Sequence, residues 1–280
     1  MTVTPAVYPA HMALPLPTSL SPSKISSFKD CALAFRFSAI DRLPEPTSAA
    51  AVKGTLVHRA LEQLYCDEPS ERTLATALEA LASALHSAQA DDPEYQELGL
   101  DDEAEAALHS QAEQLVRRYF DLEDPTQIRP IGIELMLEAE LGGVRLRGII
   151  DRLDLDDDGE LVVTDYKTGR SPGVRYEQGR FGGVHFYAFL CESVLGRRPA
   201  RVQLLYLADG VTIVATPSEQ SVRGLERRVG AVWQAVERAC TNDDFRPRPG
   251  PLCDWCGFHA FCPAFGGDPA TASVPLAATG

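Results

Sequence analysis

The sequence predicts an α/β fold in which a mixed central sheet is flanked by helices. Three observations carry that reading. Most of the first 122 residues are helical in pattern, with apolar residues at three- and four-residue spacings. Two alternating apolar segments then flank Asp156-Asp-Asp-Gly159, as in a β-hairpin. A helix, a second hairpin and a last helix follow, an order that places helices on the faces of a mixed sheet. The 280 residues suit one large domain with appendages, and 45% are hydrophobic, enough for a substantial core.

The elements follow in order. Residues 1–19, with their prolines and alanines, read as a mobile lead-in to a domain over 20–265. Ser21-Pro-Ser-Lys offers hydroxyl caps and a first-turn proline to a helix reaching about Phe37. Pro44 and Pro46 end that region. A helix over 51–65 sets Gly54, His58, Leu61, Glu62 and Tyr65 near one face. Residues 71–90 and 103–122 are helical, joined by an acidic loop at Asp91-Asp-Pro93, and 66–124 reads as an acidic helical insertion. Strands are predicted at 131–140, 144–156 and 160–166, and a helix at 176–195. Residues 201–207 and 211–216 pair across Ala208-Asp-Gly210. Ser218 caps a helix to Cys240 with Trp233 on its apolar face. A proline-rich connection leads to the cysteines of 253–262, and 266–280 reads as a disordered tail.

The first hairpin carries chemistry. With a three-residue loop, Asp157-Asp158-Gly159, and Gly159 left-handed, Asp156 pairs with Glu160 and Asp151 falls opposite Asp165. Their Cβ atoms then lie roughly 5 Å apart. Carboxylates so close repel unless a cation intervenes. Lys167 projects from the same face, two residues on. Two acids and a lysine at one point are the constellation of a metal-dependent phosphodiesterase. A two-residue loop would put the acids on opposite faces.

Net charge is −14, which taken whole argues against a nucleic-acid partner. Residues 66–124, however, hold 16 of the 40 acids and 3 of the 26 Lys and Arg, so the rest of the chain is close to neutral. No apolar run has the length of a membrane span, and no signal peptide is read, so a cytoplasmic protein is expected. No nucleotide-binding Gly-x-x-x-x-Gly-Lys-Ser/Thr loop occurs, so the chain shows no motor of its own.

Cys253-Asp-Trp-Cys256-Gly-Phe-His-Ala-Phe-Cys262 is the second strong signal. Three closely spaced thiols in an intracellular protein suggest metal rather than disulfides. The fourth ligand is Cys31 or His259, and spacing does not decide between zinc and an iron–sulfur cluster. Trp255, Phe258 and Phe261 are placed either to stack bases or to cover the metal site. Cys66, Cys191 and Cys240 read as small core residues.

Five segments occur in the order of a known family: 20–31, Gly54-Thr-Leu-Val-His58, Gly148-Ile-Ile-Asp151-Arg152, Asp165-Tyr-Lys167-Thr-Gly169 and the cysteine triplet. Over residues 20–265 the chain resembles the RecB-like branch of the PD-(D/E)XK nuclease superfamily. It is similar above all to iron–sulfur members, the AddB-type nuclease domains and Cas4-type nucleases. The resemblance implies a restriction-endonuclease-like sheet and a metal-dependent DNA nuclease. The expected activity is that of an exonuclease on single-stranded DNA or DNA ends, in repair or processing. It implies Mg²⁺ or Mn²⁺ held by His58, Asp151, Asp165 and the carbonyl of Tyr166, with Lys167 orienting or activating the attacking water. It implies a 4Fe-4S cluster on Cys31, Cys253, Cys256 and Cys262, joining the N- and C-terminal parts, with Zn²⁺ as the alternative occupant. Tyr187 and Arg152 become DNA contacts, and a helicase or repair protein a partner. The family's Gln, four residues before that Tyr, is replaced by Gly183, with His185 and Gln178 as stand-ins. Ala32 stands where a Pro commonly follows the first cysteine. The alternative function is a non-catalytic iron–sulfur module that binds DNA or scaffolds a helicase.

Overall fold

A computed structural model of the chain describes residues 13–171 and 177–272, side chains of 177–182 excepted. Most of the expected lead-in and tail, with the side chain of Gln178, lies outside the described residues. The chain divides into two compact units.

The larger unit, Thr47–Ala139 with Arg147–Leu225, holds most of the sheet. Helix α3 (Ala49–Cys66) starts at Ser48, whose hydroxyl accepts from Ala51 N–H. It buries Leu56, Val57, Ala60, Leu61 and Leu64. Helices α4 (Leu74–Asp91) and α6 (Asp102–Leu122) pack against it in one apolar cluster that includes Tyr166, Leu205 and Leu207. The acidic link between them is not a plain loop. Asp92 caps a short helix, α5 (Pro93–Glu97), and Tyr95 is buried in it. Cys66 is exposed rather than a core residue, because it ends α3 on the outer face, while Cys191 and Cys240 are buried.

Five strands follow the order β1 (Arg129–Leu141), β2 (Val144–Leu155), β3 (Leu161–Lys167), β4 (Arg201–Tyr206) and β5 (Val211–Ala215) across the sheet. β2 and β3 are antiparallel, β3 and β4 parallel, β4 and β5 antiparallel, so the sheet is mixed as the sequence predicts. The β2–β3 register sets Arg152 against Thr164 and Leu155 against Leu161. Asp156 N–H donates to Glu160 O, and Gly159 is left-handed at φ 75°. The three-residue loop is thus formed, and continuing the register puts Asp151 opposite Asp165. Helix α7 (Glu177–Leu195) lies close over β2. A Cβ on Gly148 would sit 3.0 Å from Leu190 Cδ1 and 3.2 Å from Tyr187 Cε1, so glycine permits the approach.

The smaller unit gathers Met1–Pro46, Glu140–Leu146 and Glu226–Gly280. The single helix expected to Phe37 is broken: α1 (Pro22–Asp30) and α2 (Ala32–Phe35) flank Cys31, which is extended at φ −157° and ψ 110°. Ser21 caps α1, accepting from Lys24 N–H. Leaving the helix turns Cys31 out, and Arg248 N–H reaches its Sγ at 3.5 Å. Helix α8 (Glu219–Asn242) contributes Val236, Ala239 and Cys240 to this unit's core. Trp233 is half-buried outside that core, its indole N–H donating to Glu237 at 2.8 Å. No described helix is long and apolar enough to cross a membrane.

Candidate active site and cysteine pocket

His58 projects from α3 toward the β2 and β3 ends. Its Nε2 lies 3.2 Å from the Tyr166 carbonyl. Its Nδ1 faces two carboxylates, Asp151 Oδ2 at 3.7 Å and Glu134 Oε1 at 3.8 Å. Tyr166 N–H in turn donates to Asp151 Oδ2 at 2.6 Å. One residue's main chain therefore fixes both an imidazole and a carboxylate. A ring that donates Nε2–H to a carbonyl keeps its Nδ1 lone pair for a metal, the usual arrangement of a ligating histidine.

His58, Glu134 and Asp151 each offer an atom within 4.8 Å of the others, and this is the only such group of three among the described residues. Glu134 was not legible as a ligand. It sits in β1 with a left-handed φ of 45°, a conformation rare for a non-glycine residue. Such a kink re-aims one side chain of a strand, as bulges do beside active sites. The available signal was a lone acid inside the apolar run Ile131-Gly-Ile-Glu-Leu-Met-Leu.

Asp165, the second of the two expected acids, is outside that group. Its buried Oδ2 lies 2.5 Å from Lys167 Nζ yet receives no well-directed hydrogen bond. Tyr206, paired with Lys167 in the β3–β4 register, has a buried hydroxyl also without a hydrogen-bond partner. Burial, then the charge of Asp165, pushes Asp151 up to about 7, against the pull of His58, Tyr166 N–H and Lys167. Burial works against charge on His58, but Glu134, Asp151 and Asp165 outweigh it and raise the imidazole. Burial likewise opposes the Lys167 charge, and Asp165 more than restores it, so Lys167 stays an ammonium. Oxygen-rich, partly repelling donors with one imidazole fit a hard divalent cation.

Tyr187 is half-buried on α7, and its phenol is raised by burial and then by Asp165, Asp151 and Glu134, so the ring borders the acids. Gly183 has open space around its Cα, and His185 is half-buried. Arg152 is a correction. Its side chain is 1% exposed, and its guanidinium is surrounded by Glu123, Asp154, Thr164 and three tyrosines. Alternation along β2 turns it away from Asp151 and into the helical layer, so it presents nothing to DNA.

In the smaller unit, Cys31, Cys253, Cys256 and Cys262 line one cavity of about 240 Å³, which His259 also borders. Arg248 N–H and Gly250 N–H donate to Cys31 Sγ at 3.5 Å and Cys253 Sγ at 3.4 Å. Burial raises the Cys256 thiol, and so do Cys31, Cys253 and Cys262, which marks the four sulfurs as neighbours. His259 stacks on Phe265, ring centroids 4.2 Å apart. Phe258 is buried against Phe37, whereas Trp255 is 88% exposed. The loop is tight. A Cβ on Gly257 would lie 2.3 Å from Pro46 Cδ, and one on Gly267 2.3 Å from Ala260 O.

Residues 19–263 match the family described as the PD-(D/E)XK nuclease superfamily. The chain belongs to that superfamily. Asp165-Tyr166-Lys167 has the residue types of a (D/E)XK element, and Asp151 precedes it. Among curated proteins, the chain is 32% identical over 136 residues to the Gene 69 protein of Mycobacterium phage L5, covering 48% of this chain and 44% of that protein. It is 29% identical over 136 residues to the Gene 69 protein of Mycobacterium phage D29, 48% of each chain. The match thus spans less than half of either phage protein. Among solved structures, a "Putative exonuclease" from Eubacterium rectale superposes with a TM-score of 0.55 at 14% identity. That alignment covers 85% of this PD-(D/E)XK chain and 87% of the other, a likeness of fold.

Proposed function

We propose that this protein is a Mg²⁺- or Mn²⁺-dependent deoxyribonuclease that hydrolyses phosphodiester bonds as an exonuclease, on single-stranded DNA or DNA ends. The observation that carries the reading is the meeting of His58, Glu134 and Asp151 beside the Asp165–Lys167 pair. His58 Nδ1, Glu134, Asp151 and Asp165 are the groups that would hold the metal, while the Tyr166 carbonyl, expected as a ligand, lies at the opposite nitrogen of the imidazole and orients the ring instead. A divalent ion bound there supplies Lewis acidity to the phosphoryl group and acidifies a water. Lys167, held charged by Asp165, offsets the growing negative charge on the phosphate rather than taking a proton. Tyr187 lies where a substrate strand would border the acids. The place of the protein in DNA repair, cytoplasmic work and partnership with a helicase belong to this same reading.

The test is end-labelled single- and double-stranded DNA with Mn²⁺ or Mg²⁺. Cleavage lost in Asp165→Ala and Lys167→Ala supports the reading, and cleavage undiminished in both overturns it. The second reading, a DNA-binding module without turnover, is favoured by the open space at Gly183, where the resemblance implies a Gln. It predicts retained DNA binding with no cleavage under any divalent ion.

We further propose the iron–sulfur branch, with a 4Fe-4S cluster on Cys31, Cys253, Cys256 and Cys262. The N–H···S bonds support this, since such donors stabilise cluster thiolates. So does the gathering of the four cysteines around one cavity. Iron and a broad visible absorbance in anaerobically prepared protein are expected, and stoichiometric zinc overturns the assignment.

A further inference from the structure

Arg152 is the largest fully buried side chain among the described residues, and the metal-centre reading gives it no role. Its Nε donates to both oxygens of Asp154 at 2.9 Å. Its other nitrogens reach Glu123 at 2.8 and 3.0 Å, Tyr65 at 2.7 Å and Tyr166 Oη at 2.8 Å. Thr164 and Gln203 complete the cage: Thr164 Oγ1 accepts from Arg152 at 3.1 Å and from Gln203 at 2.8 Å. A buried ion group this well satisfied is stiff, because every departure leaves a charge unpaired.

Tyr166 links this cage to the active site. Its phenol is fastened to Arg152 on one face of the sheet. Its main chain points the other way in function: the N–H holds Asp151 at 2.6 Å and the carbonyl meets His58 at 3.2 Å. The sequence places the residue between Asp165 and Lys167, so a change in its backbone torsions would disturb those two side chains and the contacts to Asp151 and His58 together.

We propose that Arg152 is a positioning residue, which acts through the Tyr166 phenol to hold the backbone that orients His58 and Asp151 for a divalent cation. The inference rests on the metal-centre reading above. It assigns to the Arg of Gly148-Ile-Ile-Asp151-Arg152 a function at the reverse side of the sheet from DNA.

The test is direct Mn²⁺ binding, by calorimetry and by loss of the free-ion electron paramagnetic resonance signal, on full-length wild type, Tyr166→Phe and Arg152→Lys. Tyr166→Phe keeps the ring in the core and removes only the Arg152 contact. About tenfold weaker Mn²⁺ binding is expected, the size seen when a group orienting a metal ligand is lost. Arg152→Lys, where it folds, should show at least that loss. Leu81→Ala, in α4 of the same unit and without a hydrogen bond to the cage, serves as the stability control, with Mn²⁺ affinity close to wild type at a lowered Tm. Mn²⁺ affinity unchanged in Tyr166→Phe, or equally weakened in Leu81→Ala, overturns the positioning role alone. A wild-type protein that binds no Mn²⁺ overturns the metal-centre reading and this inference together.

Discussion

At the scale of single residues, the site is arranged so that its acids are uncomfortable until a cation arrives. Asp151 is held near neutrality by burial and by Asp165. Its folded pKa lies above its ordinary value of 3.8, so the native state binds that proton more tightly than the unfolded chain does. The metal-free protein therefore loses stability as pH rises from about 4 to about 7, and this contribution is level above that. Asp151→Asn keeps an acceptor for Tyr166 N–H and removes the buried charge. At pH 8 it should raise the metal-free Tm, by roughly 2–4 °C for each kcal/mol relieved, while abolishing metal-dependent cleavage. A lower Tm in thermal melts would contradict the reading. Lys167→Ala removes the ammonium that the proposed mechanism sets against the phosphate. Single-turnover cleavage should slow by about 10²–10³-fold, as for other preorganised charge stabilisers.

At the scale of elements, much was legible because strand alternation and turn chemistry are local. Asp157-Asp158-Gly159 fixed the register of β2 against β3, and with it the facing of Asp151 and Asp165. Helix α3 placed His58 by its spacing to Leu61 and Tyr65. Two things escaped. Glu134 gains its role from a backbone kink that no propensity announces. Arg152 was expected as a DNA contact from the family resemblance, yet the pleat sends alternate residues to opposite faces, and here the second face is a buried helical layer. The kink in β1 offers its own test. Glycine adopts a positive φ without penalty, whereas other residues pay about 1 kcal/mol or more. Glu134→Gly should therefore melt no lower than wild type without metal, and Glu134→Gln should also fold. Both should need more Mn²⁺ for half-maximal cleavage in a metal titration. Equal Mn²⁺ requirements would remove Glu134 from the centre.

At the scale of the whole molecule, the two units differ in how they draw on the chain. The larger takes two nearly continuous stretches, while the smaller is assembled from three separated ones. Its cysteine pocket accepts no added bulk at Gly257 or Gly267. Gly267→Ala should lower iron content and Tm together, checked by metal analysis and calorimetry, and Cys31→Ser should expose α1 to limited proteolysis. The broken first helix has a further consequence in time. Cys31 is synthesised some two hundred residues ahead of Cys253, which at about 5–20 residues per second is roughly 10–40 s. Through that interval its thiol has none of its proposed partners, and the larger unit, which ends at Leu225, is made before Cys253 follows. On the proposed cluster reading, Cys31 would thus be open to oxidants on the ribosome, and what closes that window is the arrival of the last cysteine.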